Sequence, residues 1–195
     1  MVRLARLTLA GVLVAVSACS EGTGPSTGFV VRGRIQNNTD APIPADARLV
    51  VIWGVTSGSP DYSVVFGEGE IDRMTGTFHV RFEGPPPTEA LNNGVMGVGL
   101  VVATTDHLLK DGDSLPNRPP TFDILGVTAQ HAVIFLASQP DTLQVPTWAT
   151  AFDTGYTVGV GVKVPGTFDK FVPVSPSTAL LIIDALANIE IVNWT

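Results

Sequence analysis

Cysteine is almost missing from this 195-residue chain: there is one, Cys19. An internal disulfide is therefore excluded. Charge is sparse too, at 15% of residues, against about a quarter in an average soluble domain. Basic residues are especially few, 11 against 18 acidic for a net charge of −7, and a nucleic-acid partner would call for the opposite balance. No apolar run reaches the roughly 18 residues that a membrane-spanning helix needs. Disorder is excluded from the other side, because 45% of the residues are hydrophobic and such a chain has ample material for a core. The length suits one domain.

Catalytic signatures are missing as well. The chain contains no G-x-S-x-G elbow, no H-E-x-x-H, no phosphate-binding loop and no dinucleotide fingerprint. Its three histidines, His79, His107 and His131, are scattered, without a carboxylate spaced to orient any of them as a base. His79 alternates outward on a strand pattern and reads as a solvated residue, and His131 as the polar end of a buried strand. No enzyme activity and no cofactor are expected.

What is present begins at the N-terminus. Arg3 and Arg6 precede the ten-residue apolar stretch Leu7 to Val16, followed by Ser17 and Ala18. This is the layout of a secretory signal peptide rather than of a buried or amphipathic helix. Val16-Ser17-Ala18-Cys19 resembles the bacterial lipobox, in which the cysteine is lipidated and becomes the first residue of the mature protein. The resemblance implies acyl chains on Cys19 and attachment to a membrane of the cell envelope. Two or three chains anchor stably, since each buried CH2 contributes about 0.8 kcal/mol. Cleavage removes Arg3 and Arg6, leaving 9 basic and 18 acidic residues, net −9. Ser20 stands where an aspartate marks inner-membrane retention in enterobacterial lipoproteins, so the outer membrane is the expected location.

The expected organisation is a signal at 1–18, a lipidated cysteine and flexible tether at 19–28, and a β domain at 29–195. The tether, SEGTGPSTG, is all small, polar or proline except Glu21 and buries nothing. From Phe29 the pattern has period two. Phe29, Val31, Gly33 and Ile35 form one face, then Leu49, Val51, Trp53 and Val55, then Tyr62, Val64 and Phe66 running through Gly67 toward Ile71. Arg73 to Gly76 closes a hairpin onto Phe78, Val80 and Phe82. Val95 to Thr104 reads as a central strand covered on both faces, with further strands at Ala132–Ala137 and Tyr156–Val164. For 178–187 the choice lies between strand and helix, and Ile182 and Ile183 favour strand. Together these predict an all-β fold, an antiparallel β-sandwich.

Val31-Arg-Gly33-Arg-Ile35, Ala41-Pro42-Ile43-Pro44, Ala47-Arg-Leu49-Val-Val51 and Gly76-Thr77-Phe78-His79-Val80 resemble the opening of carboxypeptidase-regulatory-like domains. That resemblance spans about fifty residues and implies a transthyretin-like sandwich, with an immunoglobulin-like one as the other form. Its usual company is binding and structural roles.

Candidate site residues lie chiefly in the polar stretch 105–123. Asp106, Asp111, Asp113 and Asp123, with His107 among them, are weak candidates for calcium, which takes six to eight oxygen ligands, although the EF-hand spacing is absent. The plainer reading is an Asp-Gly turn in a solvated loop. Trp53 shares the parity of core residues. Trp148 and Trp194 are read as core with a glycan-stacking platform as the alternative. Glu68 and Glu70 share a strand face and are read as a solvated acidic sheet edge rather than a catalytic pair. The expected function is a membrane-anchored, non-catalytic binding or structural module for an envelope protein or surface glycan. The alternative is a calcium-dependent glycan-binding protein or hydrolase using the 105–123 loop.

Overall fold

The computed structural model describes residues 28–54, 62–116, 123–128, 130–139, 145–162 and 170–184. Eleven strands run through them: β1 Phe29–Asn37, β2 Arg48–Gly54, β3 Tyr62–Asp72, β4 Thr77–Phe82, β5 Met96–Thr104, β6 Ser114–Pro116, β7 Ile124–Val127, β8 His131–Leu136, β9 Gly155–Val162, β10 Lys170–Val174 and β11 Ala179–Ile183. Two short 3-10 turns, Thr88–Ala90 and Thr147–Ala151, interrupt the connections. The β content is as the sequence predicts, and the segment beginning at 179 is a strand.

The architecture differs from the expected antiparallel sandwich. Strands β5, β2, β3, β4, β1, β11 and β7 pair in that order, and β7 returns to β5, closing a seven-stranded barrel. All these pairs are antiparallel except β1 with β11, which run parallel with Gly33 beside Ala179 and Asn37 beside Ile183. Closure depends on a fork in β5. One edge of this strand pairs with β8 over Met96–Gly99 and with β7 over Val102–Thr104. Between them, Val101 would be left with orphaned backbone groups. The Thr128 hydroxyl accepts its N–H at 3.1 Å, and the Thr128 N–H donates to its carbonyl at 3.0 Å. Satisfying such groups is obligatory in a buried strand. At the β7–β11 seam Gly126 is needed for close approach, because a Cβ there would collide with the Ile182 backbone carbonyl.

Inward-facing residues of the barrel, among them Val31, Leu49, Trp53, Phe82 and Leu181, fill it with side chains. On β3 the parity changes partway: Val64 and Phe66 face inward first, Gly69 and Ile71 after. A β-bulge causes this, since Val50 pairs with Glu68 while Ile52 pairs with Val65, and Gly67 takes φ +108°. Such an extra residue re-aims every side chain beyond it. Beyond the barrel, β8, β9 and β10 continue the sheet. Their outer face, with Ala132, Ile134, Leu136 and Phe171, is covered by Val145, Ala149 and Phe152. A third cluster packs Leu109 onto Val50, Ile52, Val65 and Val102 outside the barrel wall. Strands β2 and β5 are therefore covered on both faces, which explains their continuous apolar runs.

Chain direction defines two ends. Phe29, Phe82, Gly54 and Met96 lie at the end where β1 begins. Asn37, Asp72, Thr77, Arg48, Thr104 and Ile183 lie at the opposite end.

Candidate functional site

At the end where β1 begins, the aromatic side chains converge. Tyr156 stacks on Phe82 at 4.6 Å and on Phe29 at 5.4 Å, and meets Phe135 at 4.7 Å. Trp53 packs edge-on against Phe82 at 6.1 Å, and its indole N–H donates to the Phe66 carbonyl at 2.8 Å. The Tyr156 hydroxyl donates to the Gly84 carbonyl at 2.6 Å, and burial raises its pKa well above the ordinary phenol value. This mass of rings closes the barrel, so Trp53 is the core residue its parity predicts.

The 105–123 insertion forms a strap over the barrel wall as far as it is described. Asp106 Oδ1 accepts the Leu108 N–H at 2.8 Å, and Asp113 Oδ2 accepts the Lys110 N–H at 2.7 Å. Asp111 Oδ1 accepts the Gly67 N–H at 3.0 Å, satisfying the extra donor that the bulge exposes. Val65 and Asp113 continue the ladder, with the Val65 N–H donating to the Asp113 carbonyl at 2.9 Å. Arg48 donates to the Leu109 carbonyl. Asp123 is exposed, and its carbonyl accepts the Thr104 hydroxyl at 2.7 Å. Among the described residues, no three His, Cys, Asp or Glu side chains are grouped to hold a metal ion.

The other candidates are placed as follows. His79 is exposed on the barrel exterior. His107 Nε2 lies 3.8 Å from Asp46 Oδ2, both well exposed. His131 opens β8 half-buried; its Nδ1 is buried without a partner among the described residues, and desolvation lowers its pKa. Glu68 and Glu70 are exposed, but the expected sheet edge is not there. At Glu68 β3 is flanked by β2 and β4, the β2 pairing ends at Gly69, and the two carboxylates stand opposite Arg81 and His79 of β4. Closure of the barrel has turned an apparent edge into an outer wall. Trp148 is half-buried, edge-on to Phe152 at 5.7 Å and to Phe171 at 5.3 Å. With Lys170, Val172 and Pro173 it lines an open cleft of about 270 Å³. Cys19 and Trp194 lie outside the described residues.

Arg73, Asp46 and Met74 were not singled out by the sequence reading. Arg73 donates to the carbonyls of Pro44, Ala45 and Ala47 at 2.6–2.9 Å, tying the β3–β4 turn to the β1–β2 loop. The sequence signal was the repeated order aspartate, basic residue, apolar residue at Asp72-Arg73-Met74 and Asp106-His107-Leu108. Comparison with family models, with curated proteins and with solved structures gave no match.

Proposed function

We propose that this chain is a bacterial envelope lipoprotein, held to a membrane through lipidated Cys19, that acts as a non-catalytic docking module. The lipobox-like Val16-Ser17-Ala18-Cys19, the absence of any other cysteine and the short polar tether support the anchor. The observation that carries the docking reading is the packed barrel. Its interior holds Trp53, Phe82 and their neighbours, with Tyr156 of β9 packed against them. A barrel filled in this way offers its outer wall and loops, not its lumen, to a partner. An enzyme site requires convergent titratable groups in a concavity, whereas the carboxylates of Asp106, Asp111 and Asp113 hold backbone N–H groups.

The anchor is tested by intact mass of the membrane-extracted protein and of Cys19→Ala. Wild type is expected to start at residue 19 and carry acyl mass, and Cys19→Ala to keep its signal and carry none. A wild-type protein of unmodified mass overturns the anchor. Fractionation of the envelope then decides between outer and inner membrane, the outer being expected from Ser20.

A further inference from the structure

Three connections meet at the end of the barrel away from the tether: 38–47 after β1, 73–76 after β3, and the start of the strap after β5. Two of them share one local design. In each, an aspartate accepts the N–H of the residue two positions on, Met74 to Asp72 Oδ1 at 2.9 Å and Leu108 to Asp106 Oδ1 at 2.8 Å. The basic residue between them folds back onto the 44–47 segment, Arg73 to its carbonyls and His107 to Asp46. The third residue is thereby turned outward. Met74 is 98% exposed and Leu108 81%, the two most exposed large hydrophobics among the described residues. A single exposed apolar side chain needs no explanation. Two of them held out on turns that both contact the 44–47 segment place apolar surface on one end of the barrel, and exposed apolar surface collected at one place marks a contact site.

The surrounding charge decides what they contact. Asp40, Asp46, Asp72, Asp106 and Asp123 all lie on or beside these connections, against Arg34, Arg48 and Arg73 at the same end, so the balance is acidic. Arg73 has its donors on carbonyls, and His107 faces Asp46. An anionic lipid surface would be repelled by this end, whereas a basic polypeptide surface is attracted and oriented by it. We infer that the end of the barrel opposite the tether docks a basic protein surface, with Met74 and Leu108 seated in apolar hollows on that partner. The inference rests on the docking-module reading and adds the face and the chemistry of the partner. Attachment at the Phe29 end leaves this face directed away from the anchor.

The test is photo-crosslinking in intact cells, using the full lipidated chain with p-benzoyl-phenylalanine placed singly at Met74, at Leu108 or at Val172 on the flank. The expected result is one protein crosslinked from Met74 and Leu108 and not from Val172, through a peptide rich in Lys and Arg. Its yield is expected to fall at least about fivefold in Asp40→Asn/Asp123→Asn, as loss of complementary charge slows association. A crosslink to phospholipid, to a second copy of this acidic chain, or a yield unmoved by the charge change overturns the inference. A crosslink from Val172 alone also overturns it but leaves the docking-module reading standing. No crosslink from any of the three positions overturns both. Met74→Ser and Leu108→Ser are expected to keep the wild-type melting temperature within about 2 °C, since exposed positions outside special features contribute little, so loss of the crosslinked partner in those variants cannot come from unfolding.

Discussion

At the end of the barrel where Phe29 enters, aromatic rings from β1, β2, β4, β8 and β9 interlock around Tyr156. At the other end no ring cluster forms among the described residues. There the connections are held by hydrogen bonds from side chains to backbone, with Arg73 on three carbonyls and Asp72 and Asp106 on the turns that follow them. The first kind of end gains its free energy from area removed from water and from ring geometry. At the second end Ile35, Ile71, Phe78 and Ile183 belong to the core beneath the loops, and the loops themselves are fixed by polar contacts, each modest in net worth. The contrast teaches a division of labour in one small β domain: the aromatic cluster lies beside the start of β1, and the loops at the far end are shaped by polar contacts over an aliphatic core. The contrast can be attacked from either end by mutation.

The largest effect is expected at the aromatic end, where β1 begins. Trp53→Ala removes a fully buried indole and its hydrogen bond to Phe66, leaving a cavity that neighbouring rings cannot close. The cost is about 3–5 kcal/mol, read as a lower urea midpoint with an unchanged slope for the chain lacking residues 1–18. A loss below about 1 kcal/mol would mean that the ring cluster is not the main source of stability.

Next comes Tyr156→Phe, which keeps the stacking and deletes only the hydroxyl that donates to Gly84. Leaving that carbonyl without its donor costs about 1–2 kcal/mol at neutral pH. A pH signature accompanies it. Burial raises the Tyr156 pKa above its usual 10.0, so the folded chain keeps the proton while the unfolded chain loses it. The stabilisation is complete below about pH 10 and is lost as the pH rises further. In Tyr156→Phe the alkaline limb of stability against pH is expected to flatten; an unchanged limb would remove Tyr156 as its cause.

At the far end Arg73→Ala is expected to cost about 1 kcal/mol, since its bonds are several but exposed. Its clearer readout is hydrogen exchange: amides at 44–47 and 73–76 should exchange faster while those of β8 and β9 do not. Equal acceleration across both regions would show that the two ends are not separable.

Much of this division is written in local pattern, and the rest is not. Alternation marks β1 and β4, continuous apolar runs mark β2, β5 and β8, and isoleucines mark β11, while inward residues such as Val31, Trp53 and Phe82 fall on alternate positions of their strands. The barrel is hidden because its closure joins β1 to β11 in parallel and relies on β7, four residues directly after what reads as a polar insertion. Neither pairing has a local signature. Strand β10 is masked by Pro173, which a ladder tolerates only at an edge. The resemblance to carboxypeptidase-regulatory-like domains covers strands and turns that a sandwich and a barrel have in common, so it leads to the wrong closure. In the strap, the aspartates catch the eye as metal ligands. Their service to Gly67, Leu108 and Lys110 emerges only when the bulge and turns are in place. Arg73 escapes notice because its partners lie in another loop.

The smallest effect is expected from Asp72, and it sharpens the comparison most. Hydrogen bonds from Thr75 and Met74 lower its pKa below the usual 3.8, so the folded chain favours the carboxylate. Its contribution is present above the unfolded value and fades as the pH falls through the lower folded one. Asp72→Asn should therefore change global unfolding little at neutral pH and flatten only the acid limb, the reverse of what Tyr156→Phe does at the alkaline limb. The local result is more telling. Asn retains an oxygen that can accept the Met74 N–H, so the local test is Asp72→Ala: without that acceptor the turn that holds Met74 outward relaxes, and amide exchange at 74–76 should rise while the Tyr156 cluster stays protected. If Asp72→Asn instead lowered the global midpoint as much as Tyr156→Phe, the far end would share in holding the barrel closed, and its shape could no longer be assigned to contact alone.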